Sequence, residues 1–201
     1  MTLWNAQQVT ARIRAQGGPP LTGPVLFLDR DGVVVEERNY LKDPEQVTLL
    51  PGAAEAIRRA RTASYYVIGV SNQSGIGRGL YRESDFAAVQ RRVDALLAVA
   101  GVAFDAFFYC PHAPEEGCRC RKPAPGLIEE AARLFRWPVA GSWVVGDKLA
   151  DVELGLAVGL RAVFVRSGHG RAQEGSVVGL GIPVREDLAA AVDLILGRDR
   201  A

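Results

Sequence analysis

Cysteine, methionine, histidine and lysine are all scarce in this 201-residue chain, which holds three, one, two and three of them. Three cysteines are an odd number for a disulfide framework, so a stapled secreted scaffold is excluded. No stretch reaches 18 consecutive apolar residues, and the amino terminus MTLWNAQQVTARIRAQGG lacks the apolar core of a secretory signal. No membrane partner is therefore expected, and the cytoplasm is the expected compartment. Excess charge is missing too: the formal net charge of +1 speaks against a protein built to bind the nucleic-acid backbone. With 48% hydrophobic and 23% charged residues, the chain has ordinary globular composition and can bury a core without staples. A monomer is the default expectation.

The scarce residues are not scattered. Cys110, His112, Cys118 and Cys120 share one short window, and of the lysines at 42, 122 and 148, Lys122 follows that window directly. Four soft or borderline ligands packed this closely point to a metal. Three thiolates and one imidazole fill a tetrahedral shell with no open position, the pattern of a structural zinc, here in a loop at 110–120. The blander reading is a set of free thiols with His112 as a loop residue.

Short apolar runs, VLFL at 25–28, YYVIGV at 65–70, AFFY at 106–109, WVV at 143–145 and AVFV at 162–165, read as strands buried on both faces of a parallel sheet. Helical patterns lie between them at about 52–63, 83–100, 125–136 and 150–158, with another near 186–196. The alternation predicts an α/β fold, a doubly wound, mainly parallel sheet of five or six strands. Residues 1–24 read as an arm and linker ahead of a single domain at 25–201, and the glycine-rich stretch 171–186 reads as irregular. The long connections 32–51 and 110–124 should line the site, since ligands of open α/β sheets sit beyond the carboxyl ends of the strands.

Chemistry-bearing residues gather at those strand ends. The first strand runs into Asp29-Arg30-Asp31-Gly32, where residues two apart project the same way. Asp29 and Asp31 can then face one ligand while Arg30 points elsewhere, and hard carboxylate oxygens suit Mg²⁺. Ser71, Asn72, Gln73 and Ser74 end the second strand as neutral donors in a glycine-rich loop, which suits phosphate oxygens. Arg121 and Lys122 follow the cysteine window, and Asp147 and Lys148 end the fourth strand. Singly, each has a plain explanation as a turn former, a solvated pair or, for Asp147, a helix cap.

In this order the blocks FLDRDGVV, SNQSGIGRG, CPH…CRCRKPAPG and VVGDKLAD resemble the haloacid dehalogenase-type phosphohydrolases over about residues 25–166. Within that group they resemble the D-glycero-D-manno-heptose-1,7-bisphosphate 7-phosphatases. Val33 stands where Thr is common, and Ser71 keeps the hydroxyl where Thr is common. The resemblance implies a Mg²⁺-dependent phosphatase of a small-molecule sugar bisphosphate, without a large cap domain and with one structural zinc. It implies Asp29 as nucleophile and Asp31 as general acid and base. It further implies Mg²⁺ on Asp29, Asp147 and the Asp31 carbonyl, and phosphoryl contacts from Ser71 and Lys122. Arg121 and Lys148 match positions for the second phosphate, and Glu37, Arg38, Asn39 and Tyr40 are available for sugar hydroxyls. His169 is expected as an exposed loop residue without a partner.

Histidinol-phosphate phosphatases share the DxDG core and a similar CPH-x5-CxC loop, while the NQSGIGRG block and the GDK triplet favour the heptose reading. Polynucleotide 3′-phosphatases share a block like NQxGIxRG but not the cysteine loop, and a neutral charge suits them poorly. A non-catalytic zinc-stabilised module would be expected to have lost an acidic or Lys position, and none is missing. A receiver-like domain phosphorylated on Asp29 would lack the second Asp.

Overall fold

The computed structural model describes residues 21–198, so residues 1–20 of the expected arm lie outside the described residues. Residues 21–24 lie against the body: Leu21 packs on the core, and the Tyr66 N–H donates to the Pro24 carbonyl at 3.0 Å. Six strands, β1 (Val25–Leu28), β2 (Tyr66–Asn72), β3 (Ala106–Cys110), β4 (Trp143–Gly146), β5 (Arg161–Val165) and β6 (Val184–Arg185), form one sheet. Its order is β3-β2-β1-β4-β5-β6, and every pairing is parallel. The helices are α1 (Ala53–Thr62), α2 (Glu83–Val99), α3 (Gly126–Leu134), α4 (Leu149–Ala157), the short α5 (Gly170–Gln173) and α6 (Leu188–Ile195).

The continuous apolar runs follow from coverage of both faces. Leu26 and Leu28 of β1 face α1, α2 and α6, where Ile57, Phe86, Val93 and Leu188 are buried. Val25 and Phe27, one register step away, face α3 and the buried Leu127, Ile128 and Leu154. Burial of one such Leu or Phe stabilises by roughly 1.5–3 kcal/mol, so the strand positions covered on both faces stay apolar. Gly69 is a packing requirement inside β2, because a Cβ there would fall 2.2 Å from the Phe107 ring.

Two expectations need correction. The stretch 171–186 is not simply irregular: it contains most of α5, a 3-10 turn at Glu174–Val177 and the edge strand β6. β2 also continues through Ser71 and Asn72, because these pair with Tyr109 and Cys110 of β3 after the apolar run has ended. The chain reverses its winding between β1 and β4, which places the crevice of the topological switch beyond Asp29 and Asp147. Among the described residues no cap domain is inserted over that crevice.

Candidate active site

A cavity of about 290 Å³ opens at this crevice, lined by strand ends and loops from across the chain. β1 delivers Asp29 and Asp31, and β2 delivers Ser71, Asn72, Gln73 and Ser74. The loop after β3 brings Arg121 and Lys122, while Lys148 and Asp151 come from the start of α4. The 32–51 connection contributes Glu37, Asn39 and Tyr40.

Asp29 sits under two lysines. Its Oδ1 lies 3.0 Å from Lys122 Nζ and accepts the Arg30 N–H at 2.8 Å, and its Oδ2 lies 3.9 Å from Lys148 Nζ. Lys122 is itself buried; its ammonium also donates to the Val70 carbonyl at 2.7 Å and pairs with Asp151 Oδ1 at 2.6 Å. Burial works to raise the Asp29 carboxyl, but the charges of Lys122 and Lys148 overcome it and hold Asp29 below its ordinary value. Asp147 goes the other way, pushed up to about 7 by burial and by the Asp29 charge.

Carboxylate oxygens of Asp29, Asp147 and Asp151 lie within 4.8 Å of one another, close enough to hold a cation together. Asp151 was not among the expected site residues. Its motif was legible, but its role depends on Lys122 arriving from another loop. Asp151 also caps α4 by accepting the Lys148 N–H at 3.1 Å, so the cap considered for Asp147 belongs to Asp151 instead. Asp147 accepts the His169 N–H at 2.7 Å and pairs with Lys148 Nζ at 3.1 Å.

Gly32 is required here. Its φ is +83°, and an added Cβ would fall 2.3 Å from Asp147 Oδ2. Gly32→Ala is therefore expected to displace the Asp147 carboxylate, with a backbone cost of about 1–2 kcal/mol. A melting curve and steady-state kinetics check this, and both stability and turnover should fall.

Arg30 does not point away from the chemistry. It is fully buried, and it grips both carboxylate oxygens of Asp31, with Nη2 at 3.0 Å from Oδ1 and 2.9 Å from Oδ2. Gln73 and Asn72 line the cavity and also bond within the protein. The Gln73 amide nitrogen donates to Asp31 Oδ2 and Ser71 Oγ, each at 2.8 Å. Asn72 brackets the backbone of Lys122, accepting its N–H at 3.0 Å and donating to its carbonyl at 3.1 Å.

At the rim, Glu37 Oε2 lies 3.4 Å from Lys148 Nζ and 3.3 Å from His169 Nε2. The expectation for His169 is thus corrected, since it lines the cavity and has partners through both its ring and its backbone. Arg38 does not line the cavity and pairs with Glu36 at 2.5 Å on the surface. Arg121 lines it, and its buried Nη1 has no hydrogen-bond partner. Asn39 and Tyr40 both have positive φ, 40° and 63°, where the loop turns over the cavity.

The cysteine window folds into a cluster. The Cys110 and Cys120 sulfurs are 3.2 Å apart, and His112 Nδ1 is 3.2 Å from Cys120 Sγ. With Cys118 these four ligand atoms lie within 4.8 Å of one another and could hold a metal ion. Hydrogen bonding from Cys110 holds the Cys120 thiol down, while the same contact and burial push the Cys110 thiol up. The cluster is wired to the cavity on two sides. Cys110 accepts the Gln73 N–H through its carbonyl at 2.7 Å, and Cys120 leads directly into Arg121 and Lys122.

Three comparisons agree with this geometry. A family model described as HAD-hydrolase-like matches residues 119–191. The D-glycero-beta-D-manno-heptose-1,7-bisphosphate 7-phosphatase of Bordetella bronchiseptica is 39% identical over 176 residues, covering 86% of this chain and 97% of that protein. The protein of the same name from Pseudomonas putida is 41% identical over 147 residues, covering 73% and 84%. A crystal structure of the B. bronchiseptica D,D-heptose 1,7-bisphosphate phosphatase with magnesium and phosphate superposes with a TM-score of 0.81 at 36% identity, covering 88% and 99%. No helix among the described residues is long and apolar enough to cross a membrane.

Proposed function

The chain belongs to the D-glycero-beta-D-manno-heptose-1,7-bisphosphate 7-phosphatase family, and from that membership we propose that it removes the C7 phosphate of this sugar bisphosphate through a phosphoaspartate on Asp29. The product serves lipopolysaccharide core-precursor synthesis. The observation that carries the reading is the placement of buried Asp29 between Lys122 and Lys148 in a cavity that the cationic Arg121 also lines. A substrate with two anionic ends needs such a second contact. The histidinol-phosphate alternative finds no counterpart among the relatives described.

In the first step an Asp29 oxygen bonds to phosphorus, the bond from phosphorus to the sugar oxygen breaks, and that oxygen takes the proton of Asp31. In the second step water attacks phosphorus, gives a proton to Asp31, and the bond to Asp29 breaks, releasing phosphate. Splitting the displacement in two is the gain of a covalent nucleophile, and one carboxyl serves both proton transfers. Lys122 and Ser71 neutralise and orient phosphoryl oxygens. The donor set of Asp29 and Asp147, hard oxygens close enough to hold one cation, with Asp147 pushed up by burial and then by the Asp29 charge, fits Mg²⁺. That ion would supply charge neutralisation at the transferring group. Asp151, saturated by Lys122 and the Lys148 N–H, acts as the counter-ion of Lys122.

Three sulfurs and one imidazole fit structural Zn²⁺, held by Cys110, His112, Cys118 and Cys120. Freshly purified protein should contain one zinc per chain. Chelation should lower the melting temperature, raise KM and lower kcat, because the loop it ties carries both Arg121 and Lys122. Phosphate release across a panel of both anomers of heptose 1,7-bisphosphate, histidinol phosphate and a 3′-phosphorylated oligonucleotide tests the substrate. Preference for either heptose anomer is expected; preference for one of the other two overturns the assignment.

A further inference from the structure

Arg30 stands between the two motif carboxylates, and among the described residues it is the largest fully buried side chain. Its guanidinium holds Asp31 at three points, Nε to Oδ1 at 3.1 Å and Nη2 to Oδ1 and Oδ2 at 3.0 and 2.9 Å. Nη1 donates to Gln90 Oε1 of α2 at 3.4 Å, and the group lies over the Phe86 ring, 5.2 Å from its centroid. Gln73 closes the other side. Tyr81 and Arg30 donate to its Oε1 at 2.7 and 3.3 Å, which turns its amide nitrogen toward Asp31 Oδ2. An isolated Asp side chain rotates freely about χ1 and χ2, whereas this one is held by a planar fork and an oriented amide whose own partners are fixed in the core.

We infer that Arg30 is a positioning residue, which with Gln73 fixes the Asp31 carboxyl at the angle both proton transfers need. The inference rests on the roles given above to Asp29 and Asp31. Arg30 itself does not line the cavity, so its loss acts through Asp31. Misplacement of a catalytic group by an ångström costs about 100-fold. Lys offers a point charge without the fork, so Arg30→Lys should recover only part of that loss.

The test uses Arg30→Met, Arg30→Lys and Gln90→Leu in the full chain. Gln90→Leu loosens the guanidinium without touching Asp31 or the cavity, and it keeps the test open where Arg30→Met does not fold. With a heptose bisphosphate, kcat should fall about 100-fold in Arg30→Met and about 10-fold in the other two, with KM within about twofold. Acetyl phosphate separates positioning from general damage, because acetate departs without a proton. Asp29 should be phosphorylated at the parent rate and the phosphoenzyme should accumulate, since only its hydrolysis needs Asp31. Equal loss of phosphorylation and hydrolysis, or unchanged kcat, overturns the inference. Asp31→Asn serves as reference: if it too accumulates no phosphoenzyme, the failing premise is the Asp29 and Asp31 mechanism rather than the role of Arg30.

Discussion

An Asp29→Asn chain releases phosphate at least about 10⁴-fold more slowly than the parent, because the amide supplies no anionic oxygen to attack phosphorus. The fold should survive. Asn has the same shape, can still accept the Arg30 N–H that now meets Asp29 Oδ1, and leaves Lys122 paired with Asp151 and the Val70 carbonyl. It also removes the charge that helps push Asp147 up, so crowding among the three carboxylates falls. Phosphate release together with a melting curve checks both halves. A variant that stays active means the nucleophile lies elsewhere, and one that unfolds means the residue was structural.

Lys122→Met acts on stability and activity at once. It strands Asp29 and Asp151, both buried, without the ammonium that lies 3.0 and 2.6 Å from them. Breaking a buried pair on one side costs about 3–5 kcal/mol, because an uncompensated charge remains. Turnover should fall by about 10²–10³ as well, the usual loss when one fixed donor is taken from a developing charge. A double variant, Lys122→Met with Asp151→Asn, separates the two effects. The amide introduced by Asp151→Asn keeps an oxygen for the Lys148 N–H but carries no charge, so chemical denaturation should show part of the stability restored, the remainder being the cost of Asp29 without Lys122. Activity should stay lost.

Why the fold was more legible than the site follows from what each depends on. Strands buried on both faces must be apolar at every position, so VLFL and AVFV announced β1 and β5 without any knowledge of their partners. β6 gave no such signal, because a two-residue edge strand carrying Arg185 has too little buried surface to leave a pattern. Asp29, Asp31 and Asp147 could be seen because a strand end fixes where neighbouring side chains project. Arg30 could not, since alternation says which way a side chain leaves the strand and not that a long one curls back onto its neighbour. Asp151 and His169 gained their roles from residues distant in sequence, Lys122 for one and Asp147 and Glu37 for the other. Arg38 failed in the opposite sense, a plausible cation that the turn at Asn39 leaves on the surface beside Glu36.

The cysteine loop joins both levels. It has little core of its own, yet the GIGRG turn docks onto it, with the Gly77 N–H on the Pro111 carbonyl at 2.8 Å and no room for a Cβ. Metal at the cysteines would therefore fix the loop and also the backbone of Gln73, whose amide orients Asp31.

Covalent trapping on the Asp31→Asn chain tests the central claim most directly. Acetyl phosphate forms the phosphoenzyme without a general acid, and loss of the base slows its breakdown, so the intermediate should accumulate. Borohydride reduction followed by peptide mass analysis should then find homoserine at position 29 and unmodified carboxylates elsewhere. Reduction at another carboxylate, or acetyl phosphate turnover with Asp29 never modified, would contradict the account.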